Sequence, residues 1–180
     1  MKNETAICKI CNKRICSDEA VYYFPKVPEE CGFSEFSASI LHIACILASE
    51  KKELISDSLA EMKQAIASKL DFTPFISRDK NVIIQGNIDS RTIEIYNYED
   101  FVELSVPIVQ LNKLCNLLPF EFINSTMNTI HLLENNKLKI EYNYFSVELE
   151  SLSFPRLVKL VSSSDVKAYF DASACTVLTY

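Results

Sequence analysis

Four residues have types and spacing that suit a metal ion. Cys8 and Cys11 form one pair in Cys8-Lys9-Ile10-Cys11, and His42 and Cys45 form another in His42-Ile43-Ala44-Cys45. A Cys-x-x-Cys turn lets two thiolates reach one ion from a tight knuckle. A His and a Cys three apart share one face of a helical turn and can complete a tetrahedron. Three thiolates and an imidazole are soft to borderline donors, which suit Zn²⁺; calcium and magnesium need oxygens. With all four positions filled by protein, the expected zinc is structural, because a catalytic zinc keeps a position open for water. No His-x-Glu accompanies the Cys-x-x-Cys pair, so the zinc-deaminase pattern is absent.

The remaining chemistry-bearing residues are less organised. Cys16 and Cys31 are rival ligands without knuckle spacing, and Cys115 and Cys175 read as core residues. His131 sits between Ile130 and Leu132 on an expected strand. Pairing with Cys115 or Ser125 would give a nucleophile and base, but no orienting third group is visible, so a structural role is expected. Glu94, Glu99, Asp100 and Glu103 lack the spacing of a calcium loop and read as a solvated face. The only glycines are Gly32 and Gly86, which excludes Walker A, dinucleotide and kinase glycine-rich loops. No catalytic constellation remains, and the chain is expected not to be an enzyme.

After the knuckle come Lys13-Arg14-Ile15, then a β-type run Val21-Tyr22-Tyr23-Phe24, then Pro25 and Pro28, then a helical stretch from near His42. This order resembles the treble-clef zinc finger: knuckle, β-hairpin, and a helix whose first turn supplies the last two ligands. The matched residues are Cys8, Cys11, His42 and Cys45, and the resemblance covers residues 8–50. With Phe24-Pro25 after the strand, the order also looks like zinc modules that open small bacterial proteins of unassigned function. Treble clefs usually carry a glycine just after the second cysteine. Asn12 and Lys13 stand there instead, and Asn tolerates the left-handed backbone such a knuckle needs.

The elements expected to carry these residues are mixed. Leu59, Met62, Ile66 and Leu70 recur at helical spacing, so residues 53–70 predict an amphipathic helix capped by Ser56 or Asp57. Residues 71–80, with Pro74, read as a boundary. Residues 81–118 and 128–164 look like two copies of one unit, three strands and then a helix that a proline opens or precedes. The helical stripes are Ile108, Leu111, Cys115, Leu118 and Phe154, Leu157, Val158, Val161. In the strands Ile93, Ile95, Val102 and Leu104 point one way and Glu94 and Glu103 the other. Ile140, Val147 and Leu149 point inward, with Glu141 and Glu148 outward. The expected fold class is α+β, an antiparallel sheet with helices on one face behind a zinc module. The expected division is a zinc-binding module at 1–50, a helix and connector at 51–79, and an α+β domain at 80–180, whose apolar pattern is self-sufficient.

Charge then narrows the partner. The 180 residues carry 18 basic and 24 acidic side chains, a net charge of −6. Residues 1–52 are neutral; the excess lies beyond them. Such a chain is poorly suited to phosphate backbones and better suited to a basic protein. No apolar run long enough to span a bilayer and no signal-peptide core is present, so a cytoplasmic protein is expected, in which clustered cysteines mean metal rather than disulfides. The expected function is protein–protein interaction, with the outward glutamates Glu94, Glu103, Glu141 and Glu148 facing the partner. A toxin-neutralising, immunity-type role against a basic toxin fits best. The alternative is a zinc-finger regulator contacting nucleic acid through Lys9, Lys13, Arg14, Lys51 and Lys52.

Overall fold

The computed structural model describes residues 6–69, 75–87, 89–125 and 127–162. Leu70, Pro74, Cys175 and the end of the second expected unit lie outside them. The architecture is mixed α+β, with antiparallel sheets and a few helices, as the alternation of the sequence implies.

The chain opens on the knuckle. Ile7 and Arg14 form an isolated antiparallel bridge around it, and the Asn12 N–H donates to the Cys8 carbonyl at 2.8 Å. Asn12 has φ 57°, so the asparagine takes the left-handed conformation expected of it. Strand β1 (Val21–Tyr23) pairs with β2 (Ile40–His42) in register Val21↔His42. The long connection between them is not loose. Phe24, Phe33 and Phe36 are buried with Tyr22 and meet edge to face at 5.8–6.1 Å. That arrangement suits the aromatic quadrupole and adds about 1 kcal/mol per pair beyond area burial.

Helix α1 (Ile43–Leu47) follows β2 directly. Instead of one long helix from His42, the chain turns at residues 48–51 and restarts as α2 (Lys52–Ala67). Ser56 and Asp57 do not cap α2. They lie inside it and accept from Asn81 Nδ2 at 2.9 and 2.6 Å, tying the helix to a strand turn. The buried stripe is Ile55, Leu59, Ala60 and Ala67, while Ile66 is 51% exposed. The helix is therefore rotated from the sequence-based expectation, because its polar tether and its apolar stripe share one side.

Two four-stranded antiparallel meanders complete the fold. The first is β3 (Phe75–Asp79), β4 (Val82–Asn87), β5 (Thr92–Asn97) and β6 (Val102–Pro107), in that spatial order. The second is β7 (Phe122–Asn124), β8 (Thr129–Leu132), β9 (Leu138–Glu141) and β10 (Ser146–Glu148). Each meander has four strands rather than three. The boundary expected at 71–80 contains β3, whose tight turn into β4 uses Lys80 at φ 52°. A short helical segment follows each meander: a 3₁₀ turn and α3 (Leu111–Cys115), and α4 (Phe154–Val161), which has Pro155 in its first turn.

Ile84, Ile95 and Leu104 face each other across the first sheet, and Ile130, Ile140 and Val147 across the second. The apolar faces, α3, α4 and the aromatics of the N-terminal module join in one buried cluster running from Cys8 to Val161. Arg156 on α4 clasps two neighbouring turns of the first meander. Its guanidinium donates to Asp79 Oδ2 at 2.8 Å and to both Glu99 oxygens at 2.8 and 3.0 Å. No helix among the described residues is long and apolar enough to cross a membrane.

Candidate metal centre

The knuckle between Ile7 and Arg14 places Cys8 and Cys11. The end of β2 places His42, whose backbone is still extended, and α1 carries Cys45 on its first turn. The ligand atoms of these four residues all lie within 4.8 Å of one another. His42 Nδ1 stands 3.4 Å from Cys11 Sγ and 3.7 Å from Cys45 Sγ. A tetrahedral ion with bonds of about 2.3 Å to sulfur and about 2.0 Å to nitrogen needs S···N edges of about 3.5 Å. The two edges bracket that value, so the cluster can hold a metal ion. Cys16 and Cys31 are not part of it.

Glu19 is the residue that sequence reasoning missed. Its Oε2 lies 3.2 Å from His42 Nε2 and also accepts from the Cys16 N–H at 2.6 Å. A carboxylate on Nε2 holds the proton there and leaves the Nδ1 lone pair toward the thiols, which is the tautomer a ligand needs. The Cys16 N–H lowers the Glu19 carboxyl, and the hydrogen bond with His42 adds to this. The signal was the pairing of Val21 with His42, which brings the chain just before β1 beside the imidazole. That register spans a long connection and cannot be read from spacing.

The thiols differ. Burial pushes Cys8 up, but backbone N–H groups of Cys11, His42 and Ile10 outweigh it and leave Cys8 at about 7. Burial pushes Cys45 up to about 12, and the hydrogen bonds and charges of Cys11 and Cys8 add to it. The two thiols thus start from opposite ends, and a dication at the centre favours the thiolate of each. A cleft lined by Cys11, Lys13, Glu19, His42, Ala44 and Cys45 opens the outer side of the cluster to solvent, while Cys8 is fully buried.

The other candidate residues are dispersed. Glu94 and Glu103 share one face of the first sheet, through the register Glu94↔Ser105 and Tyr96↔Glu103. Glu141 and Glu148 lie on the outer face of the second sheet. Glu141 Oε2 is 2.8 Å from His131 Nε2, and Glu148 is opposite Lys139. His131 therefore has a carboxylate neighbour, and Cys115 Sγ lies 3.5 Å from Ser162 Oγ. Comparison with known families, curated proteins and solved structures finds no match to this chain.

Proposed function

We propose that Cys8, Cys11, His42 and Cys45 hold a structural Zn²⁺ in a treble-clef-like module, and that the protein acts without catalysis by binding another protein. The zinc reading is supported by the Cys3His donor set and by Glu19, which orients the imidazole as metal-bound histidines require. The two meanders, each followed by a helical segment, are read as a duplicated unit with an added strand.

One observation carries the binding role. Tyr23 and Tyr144, from the zinc module and the second meander, are 73% and 75% exposed and line the same cavity. Solvent-facing tyrosines at a concave site are typical anchors of protein interfaces. With a net charge of −6, the partner is a basic protein, and a toxin-neutralising role remains the best fit. Two of the five basic residues of the nucleic-acid alternative are engaged within the chain: Lys9 Nζ donates to the Glu35 carbonyl and Lys51 pairs with the Glu35 carboxylate.

Affinity purification of the tagged chain from its host is expected to recover one stoichiometric protein of basic character. Recovery of none would remove the binding role. A salt-sensitive gel shift with DNA or RNA would instead favour the alternative.

A further inference from the structure

The junction between the zinc module and the two meanders forms a groove of about 310 Å³. Its walls include Tyr22, Phe101, Met127, Tyr142 and Phe145, with Glu103 among them. A smaller recess of about 100 Å³ shares Glu103 and Met127 with the groove, and adds Glu94, Tyr96, Ser105 and Asn128. An aromatic-walled groove thus ends in a polar recess.

Two acceptors at that end lack a donor from the described residues, one buried and one exposed. Asn128 is 5% exposed, and its Oδ1 has no hydrogen-bond partner. Its orientation is fixed, because Nδ2 donates to the Glu103 carbonyl at 3.4 Å, and a flipped amide would set two oxygens against each other. A buried acceptor left unmet costs roughly 1–3 kcal/mol, and because this oxygen has almost no accessible surface, a donor gains that energy by widening the recess that Met127 and Asn128 line. The Glu103 carboxylate has no ion pair or hydrogen bond among the described residues. The side chain is exposed at the mouth of the groove, so water is its present partner, and partial desolvation by its neighbours pushes the carboxyl up, against the nearby Lys63. Glu94 differs: it already accepts from Asn87 Nδ2 and Tyr96 Oη. Lys63 does not fill the gap, since its Nζ stands over the Tyr96 ring at 3.7 Å.

From these observations we infer that the groove binds an arginine side chain of the protein partner, its stem along the aromatic walls and its guanidinium between Glu103 and Asn128. A guanidinium is a planar fork of donors that can meet a carboxylate and an amide oxygen together, and it stacks on aromatic rings. A lysine ammonium matches the charge but not the fork. A neutral apolar residue matches the walls and leaves both acceptors unmet. The inference rests on the protein-binding reading above and names what part of the partner is held.

The test uses the full-length, zinc-loaded protein and three capped amino acids: N-acetyl-arginine methylamide and its lysine and citrulline counterparts. NMR titration is the readout. Arginine is expected to shift the Met127 methyl and the Asn128 side-chain amide saturably, with Kd on the order of millimolar. Citrulline, which keeps the shape and loses the charge, is expected to bind at least tenfold more weakly, with lysine between. Glu103→Gln should abolish the preference for arginine, and Glu134→Gln, in the β8–β9 connection, should leave it intact. Equal binding of citrulline and arginine, no saturable shift, or an unaltered Glu103→Gln variant would overturn the inference. Partner capture separates the two readings. A partner held equally by wild type and Glu103→Gln refutes the groove and keeps the binding role. Arginine binding without any captured partner does the reverse.

Discussion

Glu19 carries the sharpest residue-scale consequence. Loss of a carboxylate behind a metal-bound histidine typically weakens metal affinity by roughly 10–100-fold. Glu19→Ala is therefore expected to lower zinc affinity by at least about tenfold in competition with a chromophoric chelator, whereas Cys16→Ser leaves one zinc per chain. An unchanged affinity in Glu19→Ala would show that the imidazole needs no orienting partner. The solvent-facing cleft adds a second expectation. In the metal-free protein, the solvent-facing Cys11 should alkylate before Cys45, whose thiol burial holds up at about 12, and zinc should protect both; mass spectrometry of the modified peptides reads the order. The four clustered residues were legible because cysteines and a histidine three apart admit few other uses. Glu19 was not, because an acidic residue in a polar turn carries no spacing of its own. Its role comes only from the Val21↔His42 register.

At the scale of elements, Arg156 holds α4 against the β3–β4 and β5–β6 turns, which lie side by side at one end of the first meander. Its side chain is 20% exposed and that of Glu99 is 19% exposed, so the pair is largely out of water. Arg156→Ala leaves Glu99 and Asp79 without their cation and is expected to cost about 3 kcal/mol in urea unfolding at pH 7. The pH dependence has a definite sign. Burial raises the Glu99 carboxyl, but the Arg156 hydrogen bonds and charge outweigh it and hold Glu99 below the ordinary carboxylate range. A group depressed in the folded state stabilises above its unfolded pKa, and that contribution fades as pH falls through the folded value. The gap between wild type and Arg156→Ala should therefore be full at neutral pH and shrink in acid below the usual glutamate range. A gap independent of pH would show that Arg156 acts through packing alone. The strands around this network were legible where alternation was long, as in Thr92–Asn97. β3 and β7 were not: β3 adjoins Pro74 and ends in charge, and β7 has three residues of which one is buried. The rotation of α2 escaped because Ser56 and Asp57 have the composition of a cap. Only the position of Asn81 shows that they serve as a tether.

At the scale of the molecule, the metal module and the sheets share one core. Tyr22 meets Phe101 at 5.6 Å between ring centroids, edge to face, and the buried cluster is continuous across it. The apolar pattern of residues 80–180, taken alone, implies that Cys11→Ser or Cys45→Ser unfolds residues 1–50 and leaves the sheets largely intact. The shared core instead implies that chelation lowers the midpoint of a single transition. Near- and far-ultraviolet circular dichroism should then coincide, and two separated transitions would refute this. Metal binding displaces protons from the thiols, so zinc affinity should fall as pH drops, by roughly one to three decades per pH unit. The meander order also bears on the path by which the chain folds. Every strand of the two large sheets pairs with its neighbour in sequence, so pairing closes short loops at little entropic cost, whereas Arg156 reaches back 77 residues to Asp79. Contacts so distant along the chain are expected after the rate-limiting barrier. Stopped-flow measurements should find that Arg156→Ala speeds unfolding and scarcely slows refolding, so this clasp sets how long the native state lasts rather than how quickly it is reached.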